Sequence, residues 1–261
     1  MIRNLRTFGA VTFAVLASSL SQAAPVIYFG ENQSPNSIVS GAPATARAAF
    51  TGQLVGGVGT ETFDAQTTGA VAPLAISFPG SVGSITATIT GNGTVFQSPS
   101  AAGRFNTTGA SVAAVNGKWW QGSDTFNIDF SAAISAFGFY GTDIGDFSNA
   151  IGDNSGQLTV SLTDISDNIT TLTVNNTVNG SDGALLFWGF VDTTKSYKRV
   201  SFGNVGRIDV DQAPDFFGFD DMVIGDLRQV LPPPNDVPEP GTLALLGLAA
   251  LGAGAARRYR S

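Results

Sequence analysis

Residues 159–174 read Thr159-Val160-Ser161-Leu162-Thr163-Asp164-Ile165-Ser166-Asp167-Asn168-Ile169-Thr170-Thr171-Leu172-Thr173-Val174. On both flanks apolar side chains alternate with hydroxyl side chains at the two-residue period of a strand, and β-branched types dominate. Residues 164–168 between them supply Asp, Ser and Asn, whose short side chains hydrogen-bond their own backbone and favour turns. The stretch predicts a β-hairpin. The same pattern of short runs broken by Gly, Asn, Asp and Ser continues outward in both directions. It predicts strands at 60–63, 75–78, 85–90, 125–130, 136–140, 157–163, 169–174, 185–190, 199–203 and 222–226, with no convincing helical period between them. Ten such runs predict an all-β fold, a two-sheet antiparallel β-sandwich.

Three aromatic runs are expected to fill its core: Phe137-Gly138-Phe139-Tyr140, Leu185-Leu186-Phe187-Trp188-Gly189-Phe190 and Phe216-Phe217-Gly218-Phe219. Residues 24–58, rich in Ala and Gly, read as a loosely structured entry segment, and 59–230 as the sandwich domain.

The chain has 261 residues, 32 of them glycine, and only 13% are charged, which suits one turn-rich β domain. It contains no cysteine, so the fold must be stable without disulfides. Histidine is also absent, which removes the commonest general base, the usual zinc ligand and the middle member of a serine triad. Only carboxylate chemistry of the glycosidase kind stays open, and nothing in the spacing of the acids supports it. The net charge is −7; setting aside Arg3, Arg6, Arg257, Arg258, Arg260 and Glu239 at the two ends leaves 8 basic against 19 acidic residues, or −11. So acidic a body repels phosphate backbones, and no nucleic-acid partner is expected.

Both ends point to export. Residues 1–23 carry basic Arg3 and Arg6, an apolar run over 8–16 and Ser21-Gln22-Ala23, the layout of a signal peptide cleaved after Ala23. The apolar run is shorter than the ~20 residues a membrane span needs. At the other end, a proline-rich linker at 231–236 leads into Pro238-Glu239-Pro240, an apolar segment at 241–256 and the cluster Arg257, Arg258, Arg260. The prolines keep the junction extended and open to a protease. As a helix the apolar segment rises only ~24 Å, a short transmembrane span, and the arginines act as a membrane stop held in the cytoplasm.

Residues 237–261 resemble the PEP-CTERM sorting signal of Gram-negative bacteria, with its three parts in order and a signal peptide to match. The resemblance implies that Pro238, Glu239 and Pro240 are recognised by an exosortase, a membrane transpeptidase-like enzyme. The chain would then be held transiently in the inner membrane through 241–256 and end at the cell surface or outside the cell. That sorting system tends to accompany exopolysaccharide production and biofilm. The expectation is therefore a non-enzymatic surface or matrix component, with exopolysaccharide as its partner.

The body ends in Asp220-Asp221 followed by an apolar strand, and this resembles the last strand of jelly-roll carbohydrate-binding modules. In those, a structural calcium ties the first and last strands together. The resemblance implies a jelly-roll-like sandwich and a candidate calcium site at Glu61, Asp64, Asp220 and Asp221, since calcium takes six to eight hard oxygens. A second acidic run, Asp143 and Asp146 with Asp153 and Asn154, offers another oxygen-rich loop without the EF-hand order. Trp119 and Trp120, in a Gly-flanked stretch, are candidate sugar-stacking residues, although alternation should turn at least one into the core. A calcium-dependent lectin-like module is thus the alternative function, and a carboxylate glycosidase a remote one.

Overall fold

The computed structural model describes residues 24–34, 39–97, 103–108, 117–122, 125–145, 157–178, 180–203 and 216–231. The expected signal peptide at 1–23, the linker from 232 onward and the expected transmembrane segment at 241–256 lie outside the described residues.

Two antiparallel sheets stack as a sandwich. The first runs β1 (Val26–Asn32), β11 (Leu185–Val191), β8 (Ala136–Thr142), β13 (Phe217–Gly225), β6 (Lys118–Gly122), β5 (Thr94–Gln97), with β2 (Thr60–Glu61) added on β13. The second runs β10 (Ile169–Thr173), β9 (Thr159–Asp164), β12 (Tyr197–Gly203), β7 (Phe126–Ile134), β4 (Ser84–Gly91), β3 (Leu74–Pro79). Each of the ten runs read from sequence contains a strand. The 159–174 stretch forms the β9–β10 hairpin, pairing Thr163 with Ile169. In its turn Asp164 accepts hydrogen bonds from the amides of Ser166 and Asn168 (2.8 and 2.9 Å).

Strands β8, β11 and β13 are buried along their whole length, because both faces of the first sheet are covered. Inward, Phe126 stacks on Phe202 (4.4 Å between centroids) and Phe139 on Phe219 (4.7 Å) between the sheets. Outward, Ala136, Tyr140, Phe187 and Val223 form a second apolar cluster under a helix, α1 (Gly41–Thr51). This corrects the expectation that residues 24–58 are loosely structured: their described residues supply the edge strand β1 and the covering helix α1. The Ala-rich composition that looked structureless is what lets a helix lie close on a sheet. Gly138 and Gly189 face each other across β8 and β11 and leave a hollow that the fully buried Phe50 of α1 occupies.

Candidate functional site

The acidic pair lies inside the last strand. Between Asp220 and Val223 the pairing of β13 with β8 shifts register, and Asp221 adopts a left-handed backbone (φ 50°), so the dipeptide forms a β-bulge. On the flank opposite β8, β13 pairs with β6 through Phe217–Phe219 and with β2 through Met222 and Val223. The bulge sits at the junction of those two partners. This brings Glu61 and Asp64 to the region of Asp220-Asp221, as the sequence suggested.

Both carboxylates are buried, with 1% of Asp220 and 3% of Asp221 exposed, so their ionised forms need hydrogen bonds or counter-charge. Thr107 donates to Oδ2 of Asp220 through its amide (2.7 Å) and its hydroxyl (2.9 Å), and the amide of Asp221 donates to Oδ1 (2.7 Å). Asp221 accepts from the hydroxyl of Thr108 (2.8 Å) and pairs with the Arg47 guanidinium (3.3 Å), which also lies over the Tyr140 ring. Burial pushes the pKa of Asp220 up, with the Asp221 charge adding to it; burial also raises Asp221, against the pull of Arg47. Desolvation lifts Glu61 and takes the Tyr140 hydroxyl to about 12.

The arrangement is a clamp. Loop 103–108 and helix α1 cover the outer face of the first sheet, and both are tied to one bulge by Thr107, Thr108 and Arg47. Calcium at Glu61, Asp64, Asp220 and Asp221 would have to displace these contacts. The acidic oxygens are met by hydrogen-bond donors, one of them a guanidinium that repels a cation. Glu61 accepts from the amide of Phe63 and from Gln66, and Asp64 from the amide of Lys118. Among the described residues no three acids gather at metal-ligand spacing.

Of the second acidic run, only Asp143 is described; Asp146, Asp153 and Asn154 fall outside. Asp143 (φ 65°) accepts from the Gly183 amide (3.0 Å) and faces Arg104 (3.5 Å). Gly103 packs against it and against Asp182, where a Cβ would overlap both carboxylates.

The tryptophan pair is corrected as well. Trp119 and Trp120 are both fully buried: Trp120 points between the sheets, whereas Trp119 packs on Phe96 and against Gly218 on the outer face. Alternation was right, but the outer face is covered, so neither ring is available to a sugar. Sequence reading missed Arg47, Arg104, Thr107 and Thr108, whose partners are distant in the chain and leave no local signal.

Pro238, Glu239, Pro240, Arg257, Arg258 and Arg260 lie outside the described residues. The domain reaches Leu231, whose amide donates to the carbonyl of Gln53 (2.8 Å). No curated protein matches the chain. Among solved structures, the crystal structure of the K2 cleaved adhesin domain of Lys-gingipain (Kgp) aligns over 64% of this chain and 97% of that domain. The identity is 14% and the TM-score 0.36, too low a likeness to bear on function. The family model described as the PEP-CTERM protein-sorting motif matches residues 236–260, so the chain carries that sorting signal directly after its β-sandwich.

Proposed function

We propose that the protein is a non-enzymatic component of the extracellular matrix or cell surface, exported, anchored by its tail and cut by an exosortase near Pro238-Glu239-Pro240. The sorting motif at 236–260 is the observation that carries this reading. The body supports it by its chemistry: no histidine, no cysteine, and buried carboxylates tied up in structural contacts. Its role is to be a stable folded unit among exopolysaccharide chains. The test is to express the full chain in a host that makes both an exosortase and an exopolysaccharide. Recovery in the matrix fraction, with release when the polysaccharide is degraded, supports the reading. Recovery only in the cytoplasm or inner membrane contradicts it.

A calcium-dependent carbohydrate-binding module is the second reading. The pairing of β2 with β13 favours it, since this sets Glu61 and Asp64 near Asp221; Arg47 opposes it. Melting the full chain with calcium and then with excess chelator decides between them, because a ligand that binds only the folded state must raise its Tm.

A further inference from the structure

The exposed apolar side chains of the domain gather at one end of the sandwich. At that end β13, β11, β9, β7 and β3 finish, and β8, β12, β10 and β4 begin. The two sheets are joined there by the amide of Ser81 donating to Asp226 (2.7 Å) and by Gln229 donating to the carbonyl of Pro79 (3.3 Å). Ten large apolar side chains are exposed among the described residues, and Val71 and Val178 alone lie away from this end. Three crown its turns: Val82 between β3 and β4 (76% exposed), Ile165 between β9 and β10 (68%) and Leu227 after β13 (45%). Val26, Ile27 and Ile169 start strands there, and Val55 and Leu231 flank the point where the domain ends.

Charge separates this end from the rest. Its acids Asp164, Asp167, Asp192 and Asp226 face Lys195, Lys198 and Arg228, four against three, with Asp192 buried under Tyr197, whereas the body as a whole has 8 basic against 19 acidic residues. A groove of about 420 Å³ opens between Ile165 and Leu227, with Lys195, Thr194 and Ser196 on its wall.

The chain also leaves from this end. Nine residues, 232–240, separate Leu231 from the apolar segment at 241–256. A chain of that length reaches about 28 Å as an extended polyproline strand and about 17 Å as a flexible coil. While the tail is in a bilayer, this end cannot be far from the lipid surface.

We propose that this end of the domain is a phospholipid-binding surface. Val82, Ile165 and Leu227 enter the headgroup region of the membrane that holds the tail, and Lys195 and Arg228 lie against lipid phosphates. Interfacial binding of this kind combines a few buried apolar side chains with attraction of cations to anionic lipid. The short tether keeps the local concentration high, so the surface can be weak and still be occupied. Cutting the tether removes that advantage and lets the domain go. The inference rests on the tail-anchored reading above.

The chain lacks cysteine, so single cysteines can be labelled cleanly. The full chain is reconstituted in vesicles of phosphatidylethanolamine and phosphatidylglycerol containing nitroxide-labelled lipid. A fluorophore is placed in turn at Val82→Cys, Ile165→Cys, Val71→Cys, Val178→Cys and, in the tail, Leu246→Cys. The expected result is several-fold quenching at 82, 165 and 246 relative to 71 and 178. Quenching at 246, with 82 and 165 indistinguishable from 71 and 178, overturns the inference and keeps the anchored reading. No quenching at 246 overturns both. Protection of 82 and 165 from aqueous iodide without lipid quenching means that a protein, such as a second copy, covers this end, and also overturns it.

Discussion

Replacing Phe50 by alanine tests whether α1 is part of the folded domain. Phe50 is fully buried, 5.6 Å from Phe187 and 5.9 Å from Tyr28 between ring centroids, above the hollow left by Gly138 and Gly189. Buried Phe→Ala substitutions cost about 3–5 kcal/mol, more when the site cannot collapse. Here the floor is backbone of two paired strands, so about 4 kcal/mol is expected. For a domain of this size each kcal/mol lowers Tm by about 2–4 °C, which gives a fall of about 8–16 °C. The assay is a thermal melt of the full chain followed by near-ultraviolet circular dichroism. Gly138→Ala sharpens it: the new Cβ would stand 3.0 Å from the Phe50 ring and 2.9 Å from Phe187, overpacking worth about 1–3 kcal/mol. That penalty should shrink when Phe50 is already alanine, which a double-mutant cycle measures. A Tm within about 3 °C of the parent for Phe50→Ala, or additive losses in the cycle, would refute the docking of α1 on this glycine floor.

The Arg47→Met variant leaves the buried Asp221 carboxylate without its cation while keeping the aliphatic stem. A loss of about 2–3 kcal/mol is expected in denaturant melts, below the range for a fully buried pair because 28% of the Arg47 side chain is exposed. Asp226 caps the final turn, accepting from the amides of Arg228 (2.9 Å) and Ser81 (2.7 Å). Desolvation works against its ionised form, but these hydrogen bonds prevail and hold its pKa below the ordinary 3.8. A lowered carboxyl pKa gives stability that is present above pH 3.8 and lost as pH falls through the lowered value. Asp226→Ala should therefore cost about 1 kcal/mol at neutral pH and converge with the parent in melts at the acid extreme. All three tryptophans are buried, so the folded chain should show blue-shifted emission resistant to iodide; strong quenching would place Trp119 or Trp120 back at the surface.

The sandwich was legible because most strands of the second sheet keep one face inward, and alternation such as Thr159-Val160-Ser161-Leu162 records that directly. Runs such as Leu185-Phe190 also read as strands, but their lack of alternation held a further message: something covers the outer face. That cover, α1, was hidden in an Ala-rich segment with one large anchor, Phe50, and its partner surface is a glycine pair with no apolar signature. Strands β1, β5 and β6 were missed for a related reason. β1 and β5 are edge strands, and β6 is short, with its paired tryptophans next to glycine giving no clear two-residue period. The pairing of Glu61 with the Asp220-Asp221 region was visible in outline. The chemistry there was not, because Arg47, Thr107 and Thr108 come from segments far away in sequence. The sorting tail was wholly legible, since it is a linear signal that needs no fold to be read.

Processing at the tail is tested most directly by the intact mass of the mature protein from hosts with and without an exosortase, each expressing the full chain and its Glu239→Ala variant. The account predicts that the parent chain loses the 241–256 segment and its arginines only when the exosortase is present, and that the variant keeps them. Equal masses for the parent chain in the two hosts would contradict it.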